Sequence, residues 1–578
     1  VISGNYSEGV EANLQVANNT MLTVGNLSAD AQVGVYALNA AQSNPGNVFA
    51  HSVAASSATV TNIETITNDK VAGNIAAAGS GNEIKWDASV CHIVRNGKII
   101  AKYDTINAAA AAAQSGDVIE LTADSSLTGY IQLNKNLSFR SEEGNKYTVT
   151  MPKGSWFAAP KNYSYDFSNI IFDGKSVSRG AAFSTNGANS TLTMVDCVVQ
   201  NIASTETAGA FVCQSGGGTL GLMNTDIKNC TSGATNYVGG AAIQINSGAV
   251  AYFEGGTVAN CCNTKAWADT PVFVQNGGQF IMASGTFTGN RAQHGGAIFS
   301  YGGNIDIYDG NFTNNYATYD GGVICSASGT PVINIYGGTF TGNSAGRSGS
   351  AVCVRNGNVY ISGGLFENNT LPTSANAVGA ISGWSSYRGG IHISGDTIVR
   401  NNKKGSTLAN VQVDNPGTLT IDDLGDNPEI GVYPNATNID TENEIFASAV
   451  KTAMDVTNLY KISNDKNSAL VANADTGNYV KWGKKPVAQI VRNGSVVARY
   501  SLFDSAVTAA QTGDTIEVLD NCYTNTSFTL NKTLTIKSIE GQKYTIAVQA
   551  NASFSFTSTA DVEFSDLIFD GAKASGRK

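Results

Sequence analysis

Blocks of this chain recur at a fixed offset, and that constrains its architecture more than any other feature. Val94-Arg95-Asn96-Gly97 returns as Val491-Arg492-Asn493-Gly494, Ile171-Phe172-Asp173-Gly174 as Ile568-Phe569-Asp570-Gly571, and Gly34-Val35-Tyr36 as Gly431-Val432-Tyr433, always 397 residues on. About a third of aligned positions are identical between 117–174 and 514–571, which is duplication. The repeat predicts a window on a longer tandem array: the chain begins late in one unit, holds a whole unit and stops inside the next.

A second period of roughly 25–33 residues runs inside the unit. Its clearest copies are Phe287-Thr-Gly-Asn290, Phe312-Thr-Asn-Asn315, Phe340-Thr-Gly-Asn343 and Phe366-Glu-Asn-Asn369, with Phe172, Val199, Ile227, Val258 and Val399 in the same slot elsewhere. Five residues before the slot stand Phe167, Met194, Leu222, Phe253, Met282, Ile307, Ile335 and Ile361; seven before stand Tyr165, Leu192, Leu220, Ala251, Phe280, Ile305, Ile333 and Val359. Alternation of period two predicts strands with one face inward. Beyond each slot comes a glycine corner and another short strand, as in Gly295-Gly-Ala-Ile298, Gly321-Gly-Val-Ile324 and Gly349-Ser-Ala-Val352. Two or three strands per coil then wind into a right-handed parallel β-helix. Roughly ten coils at about 4.8 Å each predict a rod on the order of 50 Å per unit. Asn290, Asn315, Asn343, Asn369 and Asn402 recur once per coil and predict an inward amide ladder.

The ends of such a coil expose strand edges and need covering. A hairpin turning on Asn96-Gly97, then a helix through alanines 108–113 N-capped by Asp104, predicts a cap over residues 88–117. Its duplicate spans 486–514, with Ser501 as N-cap and a helix from Leu502 to Gln511. The β-helix proper is expected at 118–402, a terminal β module at 403–485, the matching module of the preceding unit at 1–87, and the next coils at 515–578.

Chemistry is sparser. A net charge of −10 supplies no basic stripe for nucleic acid, and no run of 18 apolar residues crosses a membrane. His51, His92, His294 and His392 are scattered without zinc-ligand spacing, and no phosphate loop, dinucleotide fingerprint or Gly-x-Ser-x-Gly elbow stands in context. No metal and no cofactor are expected. The densest carboxylates are Asp306/Asp309/Asp320 and Asp422/Asp423/Asp426; the first set shows no basic partner at a matching coil offset, so both read as solvated surface groups. The expectation is that the chain is not an enzyme.

Cys325 and Cys353 share a register in successive coils, as do Cys230 and Cys261, and stacked strands would place their α-carbons near 4.8 Å, within the ~4.4–6.8 Å disulfide range. Bridges between coils and reduced, apolar core thiols both stay open. Tyr308, Tyr336, Tyr360, Trp384 and Tyr387 are expected to face outward, either as a surface for sugars or a receptor, or as ordinary strand surface.

The alternation of the Gly-Gly-Ala-Ile and Phe-x-x-Asn blocks resembles the repeats of chlamydial polymorphic membrane proteins and other right-handed β-helix adhesins. The segment from hairpin to Gly513-Asp-Thr-Ile-Glu-Val518 is similar to cap regions in long surface proteins of gut-type Gram-positive bacteria. The resemblance implies an extracellular, bacterial cell-surface stalk, fibre or adhesin, and carries over no catalytic residues. No translocator barrel accompanies it here. The expected partners are neighbouring units of the same chain, identical chains in a filament, and glycans or a host surface. A structural fibre is the leading reading, a glycan-binding adhesin the second, and a polysaccharide lyase or hydrolase the third.

Overall fold

Alternating residues become stacked parallel strands in the computed structural model, which is nearly all β. It describes residues 82–571 except 175–176, 179–180, 205–207, 215, 234–238, 264–269, 376, 384–388 and 437–438; before residue 82 it describes 6–7, 10–11, 14–16, 22–27, 31–37, 47–52, 57, 63, 66–68 and 75–78. The chain divides into two compact units, residues 1–176 with 192–198, and residues 177–191 with 199–578.

In the first unit Cys91–Arg95 and Lys98–Tyr103 form an antiparallel hairpin, with Asn96 and Gly97 both at positive φ as its two-residue turn requires. Cys91–Arg95 also pairs antiparallel with Val118–Leu121, and from there the pairing is parallel: Ile119 lies beside Phe139, and Phe139 beside Phe167. The alanine run forms α1 (Ile106–Ala112), which buries Ile106, Ala109 and Ala110. Its N-cap is Thr105 rather than the expected Asp104, because Thr105 Oγ1 is the side chain that reaches Ala108 N (3.2 Å). At the other end Lys135 Nζ donates to the carbonyls of Ala110, Ala111 and Ala113, groups that have no partner within the helix. Arg95 clamps the cap by a bidentate bond to Asp117 (2.7 Å each), whose Oδ2 also accepts from Gln114 N.

The second unit repeats the cap. Arg492 grips Asp514 at 2.8 Å twice, Gln511 N donates to the same carboxylate, and Lys532 Nζ meets the carbonyls of Thr508 and Ala510. Here α2 (Phe503–Ala509) has Leu502 at its N-cap with no side-chain bond, so the expected capping by Ser501 fails. Ser501 stands one residue too early.

Between the caps, the second unit carries three stacked parallel sheets and a fourth, short one. Sheet A contains Ile298–Tyr301, Ile324–Ser326, Val352–Val354 and Ile381–Gly383 in register. Sheet B contains Asn304–Ile307, Val332–Ile335 and Asn358–Ile361, and sheet C Asn311–Thr313, Thr339–Thr341 and Leu365–Glu367. Sheet D is a ten-stranded ribbon of two- to five-residue strands, such as Tyr316–Asp320 and Ser344–Ala345, at the corner after sheet C. All the inward columns read from the sequence are buried, Ile307, Ile335 and Ile361 among them. The slot phenylalanines stack directly: Phe287, Phe312, Phe340 and Phe366 stand with ring centres 5.5, 4.6 and 4.3 Å apart. Such contacts add about 0.5–1.5 kcal/mol each beyond area burial.

The turn from sheet C to sheet D explains the rest of the Phe-x-x-Asn block. Its third residue is left-handed in every copy, as Asn314 (φ 55°) and Asn368 (φ 58°) or as Gly289 and Gly342 (φ 64° and 69°), the two residue types that enter this region at least cost. The asparagine that follows points inward. Asn315 Oδ1 accepts from both Asn290 N (3.2 Å) and Asn290 Nδ2 (3.0 Å), and the same pair of bonds links Asn315 to Asn343, Asn343 to Asn369 and Asn369 to Asn402. Each Nδ2 gives its second hydrogen to a slot carbonyl of the coil before, as Asn343 does to Phe312 O (2.8 Å). All the amides therefore point one way. The ladder starts at Cys261 N, which donates to Asn290 Oδ1, and ends through Asn410 on the carboxylate of Asp465, which takes Asn410 N and Nδ2 at 2.8 Å each. Burial pushes the Asp465 pKa up, against the two bonds from Asn410.

Parallel pairing continues past Asn402, with Val411 beside Val432 and Ile430 beside Ile462, before Leu470–Ala474 and Tyr479–Lys484 turn antiparallel. Matching registers close the corresponding module of the first unit, where Leu14 lies beside Val35 and Val33 beside Ile66. The Phe49–Trp86 stack at 3.8 Å reappears as Phe446–Trp482 at 3.7 Å.

Candidate functional site

Sheet A is buried on both faces. Phe273, Phe299, Cys325 and Cys353 form a separate apolar cluster on the face covered by the sheet D corners. Over them sits Asp320, completely buried at the end of Tyr316–Asp320. Arg347 donates through Nε to Oδ1 (2.8 Å) and through Nη2 to Oδ2, Arg355 Nη2 donates to the same Oδ2, and His294 Nδ1 stands 3.2 Å from it. Arg347 also lies over the Tyr319 ring at 5.2 Å. This corrects the reading of Asp320 as a solvated carboxylate without a basic partner: it is the most completely enclosed charge of the cluster and has two guanidiniums.

The electrostatics follow. Burial alone would raise the Asp320 pKa, but the bonds from Arg347 and His294 and the charges of Arg355 and Arg347 outweigh it and hold the carboxyl far below the usual range. Asp320 is a permanent anion at neutral pH, not a proton carrier. His294 is driven the other way: burial first, with the charges of Arg355 and Arg347, lowers its pKa against the bond and charge of Asp320 that raise it, so it stays neutral.

Asp306 and Asp309 do not join Asp320. Asp306 lies on sheet B, accepting from Gln279 Nε2 (2.9 Å) and Asn334 Nδ2 (2.7 Å), and Asp309 accepts from the neighbouring Gly310 N. In the second set Asp423 pairs with Lys451 (2.6 Å), while Asp422 accepts from Asp423 N. Among the described residues no group of three His, Cys, Asp or Glu is placed to hold a metal ion.

Cys325 and Cys353 are register partners, both buried, and Cys353 Sγ donates to Ser348 Oγ (3.6 Å). Cys230 and Cys261 occupy the ladder position in the coils before Asn290, and their Sγ atoms face the carbonyls of Val199 (3.9 Å) and Ile227 (3.7 Å), where later coils place an amide. All four are thiols here. Burial pushes the Cys325 thiol well up, and takes Cys91 and Cys213 to about 12, which leaves no ready thiolate there.

The outward tyrosines form one pair and one stack on a histidine. Tyr308 and Tyr336 stack on each other at 4.9 Å and 20°, and both are about half exposed. Tyr360 belongs to a different column and stacks on His392 at 4.4 Å. Trp384 and Tyr387 lie outside the described residues.

The duplication tests one further histidine. His92 Nε2 lies 2.6 Å from Glu120 Oε2, and 397 residues on Gln489 Nε2 donates to Glu517 Oε2 at 2.8 Å. The bond survives the exchange of imidazole for amide, so the position needs a donor rather than an acid or base. The residues that sequence reasoning missed are Arg347, Arg355 and His294 around Asp320, and Asp465 at the ladder's end.

No family model and no curated protein matches the chain. Among solved structures it is similar to the PL6 family alginate lyase AlyGC at 12% identity and a TM-score of 0.23, covering 81% of this chain and 70% of that one. An arginine-to-alanine mutant of the same lyase matches at 12% and 0.21, covering 81% and 71%. The expectation that the chain is not an enzyme is corrected by this finding, since the structures it resembles are β-helical enzymes. Likeness at this level indicates neither substrate nor catalytic residues for this chain, which is a parallel β-solenoid.

Proposed function

We propose that the chain is a section of an extracellular structural fibre on a bacterial cell surface, assembled from tandem β-helical units. The observation that carries this reading is the duplication of whole joints: the Arg–Asp clamp, the lysine over the helix end and the Phe–Trp stack all recur with their bonds intact. Selection that preserves a closing module and a capping device together preserves a connector, and connectors suit an array. The amide ladder and stacked phenylalanines add stiffness within each coil stretch. Small-angle scattering on this chain and on one lengthened by a further 397-residue unit tests it. A fibre gains a constant increment in maximum dimension; a second unit that folds back on the first refutes it. Protease shaving of intact cells checks the location, and protection from the protease refutes a surface position.

A second reading, glycan binding along the coil, is favoured by the exposure of Tyr308 (55%) and Tyr336 (47%). Glycan-array binding lost in Tyr336→Ser supports it, and a blank array removes it.

A further inference from the structure

Where the module ending at Lys484 meets the following hairpin, a cavity of about 620 Å³ opens, its walls including Glu442, Asn443, Tyr460, Lys481, Lys484, Arg499 and Ser501. Small-molecule sites commonly span roughly 300–1,000 Å³. Arg499 is held flat in it: its guanidinium carbon lies 3.8 Å from the centre of the Tyr460 ring, and its Nε donates to Gln489 Oε1 at 3.1 Å. Neither contact neutralises the charge. Lys481 pairs with Asp475 at 3.2 Å and Lys484 stands 3.9 Å from Glu442, but among the described residues no carboxylate pairs with Arg499.

The earlier copy shows what a neutralised joint looks like. There the counterpart of Arg499 is Lys102, and Lys102 Nζ is paired with Asp87 at 3.1 Å. After the shared tryptophan the earlier copy reads Asp87-Ala88-Ser89, and the later one reads Gly483-Lys484-Lys485-Pro486. The later joint has thus lost the carboxylate that neutralises this position, while its two lysines bring partners of their own, Lys484 at 3.9 Å from Glu442 and Lys485 at 2.8 Å from Asp520.

We propose that this cavity binds an acidic saccharide. The Nη edge of Arg499, with Nε already engaged, matches a planar sugar carboxylate, and Lys484, in only a long, exposed contact with Glu442 on the same wall, supplies a further donor at the rim. The carboxamide of Asn443 and the hydroxyls of Ser501 and Tyr460 offer donors and acceptors for ring hydroxyls beside that charge. A site of this kind stands apart from the fibre reading and survives if the units do not align end to end.

Calorimetric titration of the whole chain with trigalacturonate and with its methyl ester, which keeps the rings and removes the charge, tests the proposal. The acid form binds, added salt weakens it, and the ester does not bind. Arg499→Gln weakens binding about tenfold or more, as loss of a charge-assisted bond requires. Lys484→Gln, at an exposed side chain unconnected with folding, weakens it several-fold. Lys102→Gln, in the earlier copy, leaves it unchanged. No binding of the acid form, equal binding of acid and ester, or undiminished affinity in either Arg499→Gln or Lys484→Gln overturns the proposal.

Discussion

Asn343→Ala removes one rung of the amide ladder, and its cost can be counted bond by bond. Asn343 Oδ1 accepts from Asn315 N (2.9 Å) and Asn315 Nδ2 (3.0 Å); its Nδ2 donates to Phe312 O (2.8 Å) and Asn369 Oδ1 (3.0 Å). Some partners are spared. Asn369 Oδ1 still accepts from the backbone N of residue 343, and Asn315 Nδ2 still donates to Phe287 O. The backbone N–H of Asn315, one of its amide hydrogens and the side-chain bond to Phe312 O are lost in an interior where Asn315 and Asn343 have no exposure to water. At about 1–3 kcal/mol for each buried group left unsatisfied, and allowing for relaxation, the local loss is roughly 3–6 kcal/mol. A chain of several modules does not unfold in one step, so a single melting curve would blur this. Hydrogen exchange resolves it. The Asn315 amide should exchange about 10²–10⁴-fold faster, while the residue 343 amide, still bonded to Asn369 Oδ1, stays protected. Unchanged protection at Asn315, or equal loss at both amides, would refute the reasoning.

Three further outcomes follow from the corners. Asp320→Asn leaves two guanidiniums over a neutral group and should cost about 3–5 kcal/mol, toward the lower end because Arg347 is 26% exposed; unchanged hydrogen-exchange protection in the sheet A strands around Cys325 and Cys353 contradicts it. His294 is held neutral, so as pH falls below the ordinary imidazole value of about 6.5 the unfolded chain takes a proton that the folded one refuses, and stability drops. Asp320, with its folded pKa depressed, is fully stabilising above about 3.9 and gives that up only as pH falls toward its folded value. Hydrogen-exchange protection of the sheet A amides around Cys325, corrected for intrinsic rates, between about pH 7.5 and 5.5 separates the two: it should fall in the native chain and fall less in His294→Gln, while the loss from His392, also held neutral by burial, is common to both. Asn368→Ala should cost about 1 kcal/mol and Asn368→Gly almost nothing, because the left-handed turn penalises a Cβ; equal loss of hydrogen-exchange protection at the adjoining Asn369 amide in both variants would remove the turn argument.

The coil was legible because one residue per turn repeats its chemistry. A phenylalanine or branched residue every roughly 25–33 positions, with apolar residues five and seven before it, has no other economical placement than stacked inward columns. The ladder was legible for the same reason. Asp320 was not, because its partners come from corners whose length varies between coils. Arg347 follows a two-residue strand and Arg355 the next strand of sheet A, so no single offset collects both. Outward placement of the tyrosines does not put them in one column, for Tyr360 sits six residues before its slot, and Tyr308 and Tyr336 sit four before theirs. The caps failed by one residue at each helix start, where the rule names a residue type but only the backbone decides which residue lies outside the first turn. The joint cavity left no pattern at all, since it arises where two modules meet.

The one-way sense of the amide ladder has a consequence for how such chains diversify. Every rung presents the same acceptor to the coil before it and the same donor to the coil after it, so recombination that deletes or inserts a complete turn leaves compatible neighbours at the scar. A fractional turn does not, for it would seat a phenylalanine where an amide belongs. Variation in size should therefore come in integral steps, and the terminal carboxylate at Asp465 marks the polarity that an inverted segment could not join.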